Sequence, residues 1–453
     1  MIRNLRLAFA IVLVTAATAF GPTFALHATA GEQDVARMEQ VIQSHASAGT
    51  FMGSVLVARD GKMILNKSYG MANLELEVPN TPATKFRLGS ITKQFTAAAI
   101  LKLEEQGKLK IDDPVKTYLP DAPMAWDRIR IFNLLTHTSG IFNFTSLADY
   151  NTIKLTPRTP ETAIAAIRDK VLDFGPGEKY SYSNSGYIVL GAIIEKVSGQ
   201  SYEKFVTDNF FKPLGMNDSG YDSNTEVIKR RASGYIKTPT GYRNAGFIHM
   251  SIPHAAGALY STTEDLLKWE QGLFGGKVLS QASFDRMTTP FKNDYGFGVI
   301  SAMQKGRRVI SHNGGIDGFN TAMSYYPDTK TVVIVLSNVN GPVPDALVAQ
   351  LAGLMHGDTV TLTSERKEIT VPAATLSKYV GTYELAPTTN MMITLDGTQL
   401  KAQLTGQLPN PIFAQSETMF FLKVVDAQIE FAADGTSLVL YQGGREMKAP
   451  RRP

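Results

Sequence analysis

A chain of 453 residues, 43% hydrophobic and 19% charged, is long enough for two folded units with separate cores. Its net charge of +4 is small, and no basic run with interleaved aromatics marks a nucleic-acid surface. The absence of cysteine excludes disulfides, thiolate metal sites, a cysteine nucleophile and lipid attachment at cysteine.

The first thirty residues read as a secretory signal. Arg3 and Arg6 form a basic start, Leu7 to Phe20 is nearly all apolar, and Ala28-Thr29-Ala30 offers a cleavage site, with the Ala25 region as a second choice. The apolar run is shorter than the roughly 20 residues of a spanning helix, so no stable membrane anchor is expected after cleavage. Export to a periplasm or to the medium follows from this reading.

The residues after the signal, 31–358, form the first predicted domain. Gly31 to Gly49 has apolar residues at helical spacing (Val35, Met38, Val41, Ile42). Phe51 to Arg59 and Met63 to Tyr69 read as a hairpin turning at Asp60-Gly61. A strong helix is predicted from Ile91 to Gln106, followed by a short one over Ile129 to Thr136. Further helices are predicted over Ala163 to Leu172 and Tyr187 to Val197. Strands are expected at Arg308 to Ser311, Met323 to Tyr326 and the β-branched Thr331 to Ser337, then a helix from Pro344 to His356. Helices and strands mix without regular alternation, which predicts an α+β class: an α/β sandwich with an antiparallel sheet flanked by helices. Residues 359–375 read as a polar linker. Residues 376–453 carry short strands, the first from Lys378, with Asp396-Gly397 and Asp434-Gly435 turns, which predicts a small antiparallel all-β barrel.

Three short motifs carry candidate chemistry. Ser90-Ile-Thr-Lys93 opens a helix, and residues three apart share a face, so Lys93 can reach the Ser90 hydroxyl. A serine needs such a base, and burial lowers a lysine's pKa enough for it to serve. The free N–H groups of a helix start can hold an oxyanion. Tyr182-Ser-Asn184 places a tyrosine that could lose its proton beside a lysine, with an asparagine on the same side of an extended segment. His312-Asn-Gly314 precedes Gly315; the glycines allow close backbone approach, and His312 could anchor or polarise a carboxylate.

Each motif alone is weak. Ser-x-x-Lys recurs at Ser201–Lys204, where serine caps a helix, and at Ser364–Lys367 in the linker. Tyr-x-Asn recurs at Tyr242–Asn244, in what reads as a turn. No His-Glu-x-x-His and no Gly-x-Ser-x-Gly is present, which argues against a zinc hydrolase and an α/β-hydrolase elbow.

Taken in order, the three motifs resemble the serine β-lactamase and penicillin-recognising hydrolase family, on the side of class C β-lactamases, D-Ala-D-Ala carboxypeptidases, D-aminopeptidases and esterases. The resemblance spans about residues 35 to 356. It includes Arg130 to Ile141, Gly186 to Gly191, Pro213-Leu-Gly-Met216 and Ala256 to Asp265. It implies Ser90 as the acylated nucleophile, Lys93 as its proton acceptor and Tyr182 as a second acid/base. It also implies Asn184 as a donor to the substrate carbonyl, His312 and Gly314 on the strand beside the substrate, and the N–H groups of Ser90 and Gly315 as the oxyanion hole. His137 matches a segment that is structural in the family. No cofactor or metal is implied, the substrate is a small molecule or short peptide, and the oligomeric state is left open.

Class C β-lactamases carry lysine where this chain has His312, which points away from efficient β-lactam hydrolysis and towards D-peptides, D-amides or small esters. The alternatives are a β-lactamase and a non-catalytic relative that binds peptidoglycan peptides. The terminal region resembles lipocalin-like domains appended to some members, with Tyr379-Val-Gly-Thr-Tyr383 as the clearest point of similarity.

Overall fold

The computed structural model describes residues 32–442 and 445–452, so the segment read as a signal lies outside the described residues. Helix α1 (Glu32–Ser47) leads into strands β1 (Gly53–Arg59) and β2 (Lys62–Tyr69), then helix α2 (Thr92–Glu105). Helices α3 (Asn184–Ser198) and α4 (Thr263–Phe274) follow. Strands β3 (Ile300–Gln304), β4 (Arg307–Ile316), β5 (Phe319–Tyr326) and β6 (Thr331–Ser337) precede helix α5 (Val343–Met355).

The six strands form one antiparallel sheet in the order β3-β4-β5-β6-β1-β2, so the two ends of this unit meet in its middle. Strand β6 is buried throughout, as its β-branched run predicts, and its residues alternate between the two faces. Val333 and Val335 pack with Met38 and Ile42 of α1 and Leu347 and Leu351 of α5. Ile334 and Leu336 face the larger core with α2, α3 and α4. Helix α2 is buried on nearly all sides (Thr92 to Leu101, and Leu103), which is why its sequence lacks a polar stripe. Its Phe95 ring stacks on Trp269 of α4 at 3.9 Å.

Two expectations are corrected. The helix expected over Ala163 to Leu172 covers only Pro160–Ala165, capped by Thr159. Beyond it Ile167 and Leu172 reach the core but lie five residues apart, and Val171 is 85% exposed, so no apolar face at helical spacing sustains another turn. The strand expected from Lys378 begins instead at Gly381, after a 3-10 turn at Ser377–Tyr379 that buries Tyr379.

The C-terminal unit has its own core, including Tyr379, Tyr383, Ile393, Leu400, Ile429 and Leu440. Its strands run as an antiparallel meander in two sheets, from Gly381–Ala386 to Asn410–Pro411 and from Phe413–Ala414 to Arg445–Pro450. A Tyr383–Arg451 bridge ties the first strand to the end of the last and so links the two sheets on one side. Asp426 joins the C-terminal unit to the first by accepting from Gln350 of α5 at 2.8 Å, and also accepts from Arg366, in the segment read as a linker, at 2.6 Å.

Glu270 of α4 is buried, and its Oε2 has no partner among the described residues. Burial pushes its pKa from the ordinary 4.5 up to about 8. The folded state therefore holds a proton that the unfolded state has lost. Stability is full below pH 4.5 and is lost as pH rises to about 8. Glu270→Gln keeps the neutral shape and is expected to raise the melting temperature at pH ~9 and not at pH ~4. The gap is on the order of 5 kcal/mol at most, read by thermal melts at both pH values. Equal melting shifts at the two pH values would show that the carboxyl is not the cause.

Candidate active site

Ser90 lies in a 3-10 turn, Gly89–Ile91, that feeds directly into α2. The turn is held from both sides. Leu88 N–H donates to Leu259 O at 2.8 Å, and Thr321 Oγ1 of β5 donates to Leu88 O at 2.7 Å. Gly89 takes φ +54°, and a Cβ there would fall 2.9 Å from the Gly315 nitrogen. A Cβ on Gly314 would fall 1.9 Å from Leu88 O and 2.9 Å from the Ser90 nitrogen. The glycines thus let β4 and the Ser90 turn touch backbone to backbone.

Lys93 sits one turn on, with no exposed surface. Its Nζ donates to Ser90 Oγ at 3.0 Å, to Asn184 Oδ1 at 2.9 Å and to Ala256 O at 2.7 Å. The partners are uncharged, so burial dominates and lowers its pKa well below that of a free lysine. Once uncharged, the amine donates only to Asn184 and Ala256, and its lone pair accepts from the Ser90 hydroxyl 3.0 Å away, the arrangement that general-base activation of serine requires.

The Tyr182 ring lies 4.9 Å from Lys93 Nζ, with its hydroxyl on the side of Ser90. Burial raises its pKa, so the phenol keeps its proton at rest; Ser90 opposes this only in part. Ionisation of Tyr182, expected from its neighbouring lysine, is therefore not the resting state.

The Tyr182–Asn184 segment is pinned by Ser183 Oγ to Ile141 O at 3.2 Å and by Ser185 Oγ to Phe142 O at 2.7 Å. Asn143 Oδ1 accepts from the Asn184 N–H at 3.2 Å. His137 stands behind Tyr182, ring centroids 4.2 Å apart, and its Nδ1 accepts from Ser183 N–H at 3.1 Å. Burial lowers its pKa, with Lys93 and His312 adding to the effect, so it is a neutral support.

His312 faces the same chamber but with both ring nitrogens occupied. Its Nδ1–H donates to Asn313 O at 2.6 Å, and Nε2 accepts from Tyr295 Oη at 3.0 Å. Burial, reinforced by Lys93, pushes its pKa down to about 4. In this arrangement it is a neutral wall of the site and not the carboxylate anchor the sequence suggests. The Asn313 side chain points to the opposite face, donating to Asp345 Oδ1 at 2.8 Å.

Strand β3 stops pairing with β4 at Ile300–Ser311. Residues 312–316 therefore present an edge that β3 does not cover, beside the Ser90 turn, and Gly315 is exposed. An extended substrate can add to such an edge.

The structure brings together Ser90, Lys93, Tyr182, Asn184, His312, Gly314 and Gly315. The alternative copies lie elsewhere. Ser201 caps a helix by accepting from Lys204 N–H at 3.2 Å, and Tyr242 donates to Gly49 O at 2.7 Å. Four further participants are missing from the motifs: Ala256 through its carbonyl, Asn143, Tyr187 (5.4 Å from Lys93 Nζ) and Tyr295. Ala256 and Tyr187 lie inside segments quoted for the family likeness; Asn143 and Tyr295 carry no local signal.

Fold and site together define a serine hydrolase of the β-lactamase and penicillin-binding class. The family model described as Beta-lactamase matches residues 37–354, and the chain belongs to that family. A second model, a domain of unknown function (DUF3471), matches residues 365–444. Penicillin-binding protein 4* of Bacillus subtilis (strain 168) is 30% identical over 433 residues, covering 88% of this chain and 95% of that protein. The octameric penicillin-binding protein homologue from Pyrococcus abyssi superposes with a TM-score of 0.67 at 28% identity, covering 92% of this chain and all of that one. A D-stereospecific amidohydrolase from Streptomyces sp. gives a TM-score of 0.60 at 27% identity, covering 67% and 94%. No helix among the described residues is long and apolar enough to cross a membrane.

Proposed function

We propose that this enzyme transfers the acyl group of D-amino-acid amides or short D-peptides to water through a Ser90 acyl-enzyme, with small esters as secondary substrates. The observation that carries the reading is Lys93, fully buried among uncharged partners with Ser90 Oγ at 3.0 Å. Neutral Lys93 takes the Ser90 proton as Oγ attacks the carbonyl carbon. The N–H groups of Ser90 and Gly315 hold the oxyanion. Tyr182 gives its proton to the departing amine and is reprotonated from Lys93, leaving the ester on Ser90. Water then attacks that ester, its proton passing back through the same pair to Ser90. Asn184 holds the acyl amide, and Gly314 lets the Ser90 turn dock against the strand beside the substrate.

Neutral His312 supports amides over substrates that need a cation at the leaving-group end. The similarity to a D-stereospecific amidohydrolase agrees with that choice. The segment 1–30 is proposed to direct export, to a periplasm or the medium, with the linker at residues 359–375 and the barrel from residue 376 as separate units.

Ser90→Ala is expected to fold and to lose turnover by about 1000-fold or more on every substrate. The check is hydrolysis of D-alanine p-nitroanilide, a D-Ala-D-Ala peptide, p-nitrophenyl acetate and nitrocefin by wild type and variant. Serine-dependent turnover of nitrocefin far above the D-substrates would replace this reading with a β-lactamase.

A further inference from the structure

We propose that Asp317, bridged to Lys154, closes the acyl end of the substrate cleft and selects acyl groups that end in a free ammonium. This rests on the reading of Ser90 and the open edge of β4 given above. Asp317 and Gly318 form the two-residue turn between β4 and β5, next to the Ile316–Phe319 pair. Asn340 fixes that turn: its Oδ1 accepts from Gly318 N–H at 2.7 Å, and its Nδ2 donates to Ile316 O and Phe319 O at 3.1 Å each.

From the turn, Asp317 Oδ1 meets Lys154 Nζ at 2.6 Å, with side-chain exposures of only 23% and 16%. Lys154 ends the short helix Tyr150–Ile153. The same stretch of chain carries Asn143, which holds Asn184. The cleft between the open strand edge and the 143–154 wall is thus bridged at one end by this ion pair. Backbone at Gly246 crowds it, since a Cβ there would lie 3.3 Å from Asp317 Oδ1 and 3.8 Å from Lys154 Nζ.

The direction of the substrate assigns the bridge to the acyl side. A carbonyl held by the N–H groups of Ser90 and Gly315 belongs to a residue paired antiparallel with Gly315. The nitrogen of that residue then faces Gly315 O. Residues upstream of it run towards Ile316 and Asp317, about 3.3 Å per residue, so the bridge stands roughly 7 Å beyond Gly315. An acyl group of two residues ends at the bridge, with its ammonium next to a carboxylate, and an N-acylated dipeptide or longer chain would have to displace the ion pair.

The test uses the full enzyme, Asp317→Asn and Lys154→Met on the p-nitrophenyl esters of D-alanyl-D-alanine and N-acetyl-D-alanyl-D-alanine. Activated esters acylate Ser90 whatever the natural leaving group. The ratio of kcat/KM for amine over acetyl cancels any loss of folded enzyme. Asp317→Asn is expected to lower that ratio by about tenfold, and Lys154→Met to keep or raise it. An unchanged ratio in Asp317→Asn means a purely structural clamp and overturns the proposal. A ratio that rises in Asp317→Asn means that Lys154 reads an acyl-side anion, and overturns it as well. Failure on D-alanine p-nitroanilide with the ester ratios as expected overturns only the amide reading. Absence of Ser90-dependent turnover of both esters overturns both.

Discussion

Lys93→Arg is expected to abolish acylation of Ser90, by about 1000-fold or more, although the positive charge is formally conserved. Wild-type Lys93 is held with no exposed surface and no carboxylate partner, so its pKa falls well below that of a free lysine. The reactive form is the neutral amine. Acylation therefore fails as pH drops through the lowered lysine pKa and is not limited by the ordinary value of 10.5. Arginine cannot give up its proton, and a guanidinium cannot fit the three acceptors at Ser90, Asn184 and Ala256. The measurement is the rate of fluorophosphonate labelling between pH ~5 and ~9, with intact-mass detection. Labelling of Lys93→Arg at even a tenth of the wild-type rate would remove Lys93 from the role of base.

The second large effect is expected from Gly314→Ala, a change of one methyl group. The added carbon would fall 1.9 Å from Leu88 O, 2.6 Å from Thr321 Oγ1 and 2.9 Å from the Ser90 nitrogen. Two of these atoms are backbone and cannot rotate away, so β4 and the nucleophile turn must separate. The methyl also breaks the Thr321–Leu88 hydrogen bond that holds the turn. A stability loss of about 3 kcal/mol is expected. Displacement of the Ser90 and Gly315 N–H groups by about 1 Å should cost 100-fold in acylation. Gly315→Ala is the internal comparison: its Cβ would meet only Asn320 Nδ2, at 3.4 Å. Melting and labelling of both variants check this, and equal behaviour of the two would refute the close-approach argument.

Much of the site was legible because its chemistry is written in short spacings. Ser90 and Lys93 share one turn of helix, and Tyr182 and Asn184 flank the start of another. The order of the three motifs and the stretches around them carried the rest. What stayed hidden depends on contacts between distant segments. The tautomer of His312 is set by Tyr295, seventeen residues upstream and across the chamber. The ordinary reading of an isolated histidine, a ring free to meet a carboxylate, fails once both nitrogens are seen to be bonded. The third partner of Lys93 is a main-chain carbonyl, which no residue type announces.

Secondary structure was legible where one face repeats. Strand β6 and helix α5 fell where their apolar patterns put them. The stretch after Ala165 did not, because the residues there that reach the core, Ile167 and Leu172, are five apart and so do not share one helical face.

The sheet order has a kinetic consequence. Strand β1 pairs with β6, and the Ser90 turn is fastened by a bond from Thr321 to Leu88 that spans 233 residues. Contacts of such sequence separation form late, because a long loop must close before they contribute. A growing chain that has produced Ser90 and Lys93 has no Gly315 N–H beside that turn until the hairpin of β4 and β5 is complete and docked. If Ser90 acts as proposed, its acylation arrives in one step near the end of folding, and partly folded chains are spared reaction with whatever acyl donors surround them.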